Sequence, residues 1–355
     1  MNEETAAKPS VTVADVAVMA GVSKATAARV LGKYGVVSDA VRQKVLQAAA
    51  KLDYRPNELA RSMTTGRSGA IGVVVADIEN PFFSSAVRGI ADVARAAGFT
   101  VILANSSEKI EAEKAAVRTL LAKRVDGFIV TPSRRSEIDH LNDIVRTGRP
   151  LALLDRAVPE LDVDTVTVDD REAAGNATEL LLKNGHRRVV YMTACDTPER
   201  IYDETSDIFT ASVRDRITGF MNACRGFGIS SPERLVRLGA KGPEDAGRLA
   251  KELLSAPDRP TAILASDSLI ALEVFKATRA MGLSIPDDLS LITFHDADWT
   301  SVTTPPVTVI NQPVYELGKT VAELLVERLK GETGPAKRVI IPTQLIERSS
   351  IAALR

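Results

Sequence analysis

The 355-residue chain is poor in the residues that staple a fold, hold a metal or anchor a membrane. Its two cysteines, Cys195 and Cys224, have no CxxC spacing, which predicts free thiols in a reducing compartment. Three histidines, His140, His186 and His295, stand far apart and in no ligand pattern, so no metal is expected. No run of about 18 apolar residues exists to span a bilayer. The leading MNEETAAKPS is polar and acidic with no apolar stretch, which predicts no signal peptide and a cytoplasmic protein. Nucleotide fingerprints are missing: neither GxGxxG nor GxxxxGK[ST] occurs in the expected place. GxSxG, HExxH and a credible catalytic triad are missing too, and no acidic pair demands acid–base chemistry. These absences predict a binding protein without a cofactor rather than an enzyme.

What is present divides unevenly. The length exceeds one ordinary core, so two or three domains are expected. An apolar content of 45% with 26% charged residues is that of a soluble globular protein. The net charge of −1 hides an asymmetry: residues 1–67 hold ten Lys/Arg against six Asp/Glu, and the remainder hold 35 against 40. A small basic end on a mildly acidic body points to a polyanionic partner for that end.

The basic end contains VADVAVMAGVSKATAARVLG, Val13 to Gly32. Thr12 with Asp15 three residues on makes a capping box, and Val16, Ala17 and Ala20 share a face. Gly21 supplies the positive φ that ends a helix, and Ser23 caps a second almost at once. That second helix buries Val30 and Leu31 and turns Lys24, Ala25, Ala28 and Arg29 elsewhere. A third helix starts at Ser38, with Val41, Val45, Leu46 and Ala49 as its stripe. Two short helices around a glycine turn make a helix-turn-helix. A second helix with few bulky outward side chains can lie in the roughly 12 Å major groove. On pattern alone two readings stand: a generic three-helix bundle, or a device for reading DNA.

From residue 70 the pattern changes. AIGVVVADI, TVILANSS, VDGFIVTPS and RPLALLDR are short apolar strands ending in polar residues, with helical stretches between. A second set follows: TVTVDD, RRVVYMTA, RLVRLG, TAILASD and LSLITFHD. Residues Pro313–Leu329 look helical, and RVIIP and TQLIERSS strand-like. The alternation predicts βαβ units in parallel sheets covered on both faces. Two such halves leave a cleft at the strand C-terminal ends, where ligands bind.

The string VTVADVAVMAGVSKATAARVL…VSDAVRQKVLQAAAKLDYRPNELARSM, dense over residues 11–67, resembles the start of the LacI/GalR family of bacterial transcription regulators. The resemblance implies an N-terminal all-α helix-turn-helix headpiece plus an α/β periplasmic-binding-protein-like core of two doubly wound parallel-sheet subdomains. Residues 1–10 form a polar tail, 11–55 the DNA-binding domain, 56–69 a hinge helix and linker, and 70–355 the effector-binding and dimerisation core. Within it, the first subdomain takes about 70–166 plus 313–342, and the second about 167–312 plus the last strand. Lys24, Ala25 and Arg29 fall where the family reads base edges, and Thr12, Ser23 and Thr26 where it holds phosphates. Arg29 suits bidentate contact to guanine, and its alternative is a surface ion pair. The family's usual serine is Ala28 here, and its usual asparagine is Gly32. Asn57, Ala60, Arg61 and Met63 belong to the hinge helix. A lone helix of about seven residues is unstable in water, so it folds on DNA, with Met63 as the minor-groove wedge or as a linker residue touching the core.

In the core, the same likeness assigns Asn80, Phe82, Phe83, Arg124, Asp155, Arg156, Arg216, Ser266, Asp267 and Gln312 to an effector pocket, Asp155 and Arg216 foremost. His295 and Asp296 stand in the family's G-[YF]-D-[DN] position, where an imidazole replaces an acceptor-only carboxylate. Trp299 either stacks on a sugar ring or packs under the loop. The longer-than-usual segment 195–212 is either a lid or a surface loop. No terminal leucine heptad is present, so a homodimer is the economical state. The expected function is sequence-specific binding of double-stranded operator DNA by a repressor. A small effector, a sugar or glycoside, controls its affinity through the cleft. The rivals are a solute-binding receptor and a sugar-acting α/β enzyme, each with an idle N-terminal bundle. The first needs a signal peptide and the second a nucleophile or phosphate loop.

Overall fold

The computed structural model describes residues 11–32, 34–54, 66–195, 202 and 208–354. They fall in two compact units, Met1–Gly69 and Ala70–Arg355. The assigned hinge residues Asn57, Ala60, Arg61 and Met63 lie outside the described residues.

The first unit holds α1 (Val13–Ala20), α2 (Lys24–Leu31) and α3 (Asp39–Lys51). The capping box forms as expected: Thr12 N–H donates to the Asp15 carboxylate at 2.8 Å, and Asp15 N–H donates back to the Thr12 hydroxyl. Gly21 ends α1 at φ 64°, and Ser23 Oγ caps α2 by accepting from Thr26 N–H at 3.1 Å. Val16, Ala17, Ala27, Val30, Val45 and Ala48 form the core. Leu46, expected on the stripe of α3, is 46% exposed instead. The inward face runs Val45, Ala48, Ala49, one helical turn, which leaves no room for the neighbour at 46. Gly32 has a local cause: a Cβ there would lie 2.5 Å from Tyr34 Cε1 and 2.9 Å from the Ala28 carbonyl oxygen.

The second unit contains strands β1 (Ala70–Val75), β2 (Thr100–Asn105), β3 (Gly127–Val130), β4 (Leu151–Leu154), β5 (Asp164–Val168), β6 (Val189–Met192), β7 (Val236–Arg237), β8 (Ala262–Ala265), β9 (Ser290–Phe294), β10 (Thr308–Asn311), β11 (Arg338–Ile341) and β12 (Gln344–Ile346). Its α-helices are α4 (Pro81–Ala96), α5 (Ile110–Ala122), α6 (Asp139–Arg146), α7 (Asp170–Lys183), α8 (Ala211–Gly226), α9 (Gly242–Ser255), α10 (Ser268–Ala280), α11 (Asp298–Val302) and α12 (Val314–Leu329). One sheet runs β11-β5-β4-β3-β1-β2, the other β12-β10-β9-β8-β6-β7. Every pairing is parallel except β10 with β12. Central strands such as β1 and β9 are buried throughout because helices cover both faces, which is why they read as unbroken apolar runs.

Two details correct the sequence reading. TVTVDD was expected to open the second half, but β5 pairs with β4 and β11 in the first sheet. The crossing to the second half comes only after Val168. The strand β10 carries no signal of its own, being four residues long and bracketed by Pro305, Pro306 and Pro313. The chain crosses between sheets three times, at residues 168–170, 311–314 and 341–344. The helix after each of the first two crossings packs within the half it enters, α7 on α8 and α12 on α4. Glycines permit both approaches: a Cβ on Gly318 would overlap the Ala86 carbonyl, and one on Gly219 the Arg171 carbonyl.

Candidate functional site

Two surfaces carry the assigned residues. On the first unit, Ser23, Lys24, Ala25 and Arg29 of the α2 region are exposed, as is Thr12. The Ser23 and Thr26 hydroxyls lie 2.9 Å apart, and the Thr12 hydroxyl donates to Asp15 at 2.8 Å. These hydroxyls therefore set the helix starts and still face solvent. The stem of Arg29 lies against Gly35, with Cδ 3.5 Å from where a Cβ would stand. Among the described residues no carboxylate pairs with Arg29.

On the second unit, residues at the carboxyl ends of the strands converge. Asp155 and Arg156 follow β4, Ser266 follows β8, His295 follows β9 and Gln312 follows β10. Arg216 of α8 is buried and donates from Nε to Asp170 Oδ1 at 2.6 Å and from Nη1 to the Ser266 carbonyl at 2.7 Å. Its guanidinium stacks 4.0 Å above the Phe294 ring centroid. Arg156 clamps Glu108 with two bonds of 2.8 and 2.7 Å and reaches the Pro132 carbonyl. Phe83 lies 6.0 Å from the Arg156 guanidinium, Phe82 meets Phe83 edge-on at 5.0 Å, and Phe82 meets His295 edge-on at 6.4 Å.

Among the described residues, several buried polar atoms here lack a hydrogen-bond partner: Asp155 Oδ1, Arg156 Nε (its nearest acceptor the Asp155 carboxylate at 3.6 Å), His295 Nδ1, Trp299 Nε1 and Gln312 Nε2. Buried polar atoms are nearly always bonded, and clustered exceptions mark a place for water or a ligand. Burial raises the Asp155 carboxyl against the pull of Arg156 and Arg216, and raises Asp267 too. Burial lifts Asp170 to about 7 in spite of Arg216, and lowers the His295 imidazole despite Asp296 and Asp298 nearby. A surface groove of about 710 Å³ between α9 and α10 lies apart from this chemistry, and none of its lining side chains carries such an orphaned atom.

Some assigned residues have other commitments in the fold. Arg124 is exposed in the turn before β3, at the amino end of the strands and so away from the cleft. Both Asp296 oxygens are held by Arg348, at 2.8 and 2.7 Å, in an ion pair that fixes the turn after β9. Asn80 caps α4, its Oδ1 accepting from Phe82 N–H at 3.0 Å, and Asp267 caps α10 likewise. Trp299 packs edge-on against Phe275 at 6.1 Å, leaving its indole N–H as the part free to bind.

Other participants were not legible beforehand. Glu108, Asp170 and Ser212 hold the pocket arginines and Asp155, the last through a Ser212 Oγ–Asp155 Oδ2 bond of 3.4 Å. Asp170 stands in the VDD run that ends a strand, the one signal that singles it out. Of segment 195–212, residues 196–201 and 203–207 lie outside the described residues. Its other part is a clasp: Tyr202 and Ile208 are buried in the second half, while Phe209 reaches the first. Arg135 N–H donates to the Phe209 carbonyl at 3.3 Å, and the Arg134 guanidinium lies 4.8 Å over the Phe209 ring. His140 pairs with buried Glu113 at 2.7 Å, and His186 bonds Thr261, so neither joins the cleft. Among the described residues no group of side chains is placed to hold a metal, and no helix is long and apolar enough to cross a membrane.

A helix-turn-helix headpiece with a core of two like sheets and a polar cleft defines an effector-controlled DNA-binding regulator. Residues 12–57 match the family model of bacterial regulatory proteins of the lacI family, and residues 68–349 that of periplasmic binding proteins and the sugar-binding domain of the LacI family. The chain belongs to the LacI family of bacterial transcription regulators, and it is not an enzyme. It is 31% identical over 352 residues to the HTH-type transcriptional repressor CytR of Escherichia coli (strain K12), covering 99% of this chain and 98% of that one. It is 33% identical over 341 residues to the ribose operon repressor of Halalkalibacterium halodurans, covering 96% of each. A solved structure of the lac repressor dimer bound to operator and the anti-inducer ONPF superposes with a TM-score of 0.82 at 25% identity, over 97% of this chain and 100% of that one. A LacI family regulator from Enterococcus faecium with bound ribose gives 0.68 at 30% identity, over 81% and 100%.

Proposed function

We propose that this chain is a cytoplasmic repressor that binds a near-palindromic operator as a homodimer and is controlled by an uncharged, ribose-type sugar or a molecule carrying one. The observation that carries the effector reading is the cluster of orphaned buried atoms at the ends of β4, β9 and β10. They offer two or more donors and at least one acceptor between arginines already engaged by Glu108 and Asp170. That is the demand of a polyhydroxyl ligand, not of a phosphate, which would need uncompensated cations. The similar proteins that carry ribose in their names or titles agree with it. For DNA, Lys24, Ala25 and Arg29 read base edges while Thr12, Ser23 and Thr26 hold phosphates. Asn57, Ala60, Arg61 and Met63 form a hinge that enters the minor groove.

The coupling runs through the three crossings between the sheets. An effector that draws the halves together turns them about those crossings and so resets the spacing of the two headpieces. Its size falls in the usual range of about 1–3 kcal/mol. The test is selection of bound DNA from a random pool at fixed moderate salt, without and with a pentose panel. A palindrome of two half-sites whose recovery changes with one sugar is the expected result. An unenriched pool under every condition refutes the operator reading, and a palindrome indifferent to all sugars refutes the effector.

A further inference from the structure

The two sheets repeat one strand order, and the repeat puts Asp155 and His295 at the same place in each. Asp155 follows Leu154, which pairs with Val166 of β5; His295 follows Phe294, which pairs with Ile310 of β10. Each donates its backbone N–H to that partner's carbonyl, at 2.8 and 3.0 Å. Each is left-handed, at φ 67° and 70°, a conformation that non-glycine residues seldom adopt and that clusters at ligand sites. Each carries a buried side-chain atom without a partner, Oδ1 and Nδ1. Each precedes a residue locked in a two-bond ion pair, Arg156 with Glu108 and Asp296 with Arg348, so both turns are rigid. The Phe82–Phe83 pair bridges them, meeting His295 on one side and Arg156 on the other.

We infer that His295, which holds in the second sheet the place Asp155 holds in the first, sets the specificity of the cleft by admitting a ligand whose far end is a hydrogen-bond acceptor without a proton, such as a carbonyl, a ring nitrogen or an ether oxygen. This rests on the effector reading of the cleft. The chemistry follows from the difference between the two residues. An ionised carboxylate only accepts, so a carboxylate in both places would demand a hydroxyl at both ends and repel a bare acceptor. Burial keeps the imidazole neutral, with one ring nitrogen donating and the other accepting. The ligand chooses the tautomer, and Nδ1 can therefore donate where a carboxylate cannot. An acceptor placed there satisfies an atom that is otherwise buried and unbonded.

The test compares D-ribose with ribonolactone, a matched pair in which a hydroxyl becomes a carbonyl, by calorimetric titration of the full chain. His295→Asp and His295→Asn are the variants, with thermal melts to confirm folding. In wild type the lactone binds at least as well as ribose. His295→Asp loses the lactone about tenfold more than ribose, the worth of one hydrogen bond made or refused. His295→Asn, whose amide also donates, holds the wild-type ratio within about threefold. Equal loss of both ligands in His295→Asp, or a carbonyl preference that survives it, overturns the assignment of His295 alone. A wild-type protein that binds neither probe overturns the ribose-type reading of the cleft and this inference with it.

Discussion

Replacing Arg216 with methionine tests whether the cleft is held by a buried charge balance. The guanidinium and Asp170 are 9% and 5% exposed and lie 2.6 Å apart, with further bonds from Arg216 to the Ser266 carbonyl and a stack on Phe294. Methionine keeps much of the stem volume and removes the charge. Taking one partner from a buried pair costs about 3–5 kcal/mol, chiefly because the other charge is left uncompensated. The lost carbonyl bond and the stack belong within that figure, at about 1–3 kcal/mol together.

The pH dependence separates these parts. Burial lifts the Asp170 carboxyl to about 7, against about 3.9 for an unfolded aspartate. Between those values the folded state binds the extra proton. The contribution of this group is therefore fully present below about pH 4 and is lost as pH rises through about 7, at about 1.4 kcal/mol per unit. Without Arg216 the carboxyl rises further, so the loss in the variant continues above pH 7. The deficit of Arg216→Met against wild type is thus expected to be larger at pH 8 than at pH 5.5 by about 1–2 kcal/mol. Urea titrations followed by circular dichroism at both pH values measure it. Adding Asp170→Asn to the variant should recover the pH-dependent part. An equal deficit at both pH values, with no recovery in the double variant, would refute the buried-charge account.

Arg29→Ala should cost about 1–3 kcal/mol of specific binding and relax one operator position, read by competition at fixed salt; unchanged specificity would remove α2 from the groove. Gly318→Ala should destabilise by about 1–3 kcal/mol or more because the new methyl meets the Ala86 carbonyl of α4. Gly226→Ala, with open space around it and an ordinary φ, should be neutral or stabilising by up to about 1 kcal/mol; two similar melting shifts would contradict the close-approach argument. Arg134→Ala removes the cation over Phe209 and should speed effector release about threefold in stopped flow, whereas Arg124→Ala at the far end of the strands should leave it unchanged.

What was legible in the sequence was local. The capping box at Thr12 and Asp15, the glycine turn at Gly21 and the Ser23 cap are decided within three or four residues, and each forms as expected. Most of the parallel strands announced themselves because both faces are covered. What escaped is non-local. Arg216 finds Asp170 across 46 residues, Arg156 finds Glu108 across 48 and Ser212 finds Asp155 across 57. No periodicity encodes such pairings. Arg124 shows a related limit: family register locates a residue along the chain but not at which end of a strand it emerges. Asp296 shows another, since a carboxylate beside a cleft looks the same in sequence whether it faces a ligand or Arg348.

The placement of these groups also bears on how a ligand would move the halves. Asp170 is the first residue of α7 and the last of the first crossing, and Gln312 sits within the second. Asp169 of the first crossing accepts from Thr343 N–H of the third at 2.8 Å. The crossings are therefore tied to one another and to the pocket by direct bonds. A ligand that engages Gln312 Nε2, or shifts Arg216 on Asp170, acts on the hinge without an intervening relay of packed side chains. The sheets themselves are rigid layers with buried, close-packed strands, which deform far less readily than three short connections. Differential contact with the two settings of those connections is the only source of an allosteric response. In this fold, side chains that would bind the effector also stand on the connections that would turn.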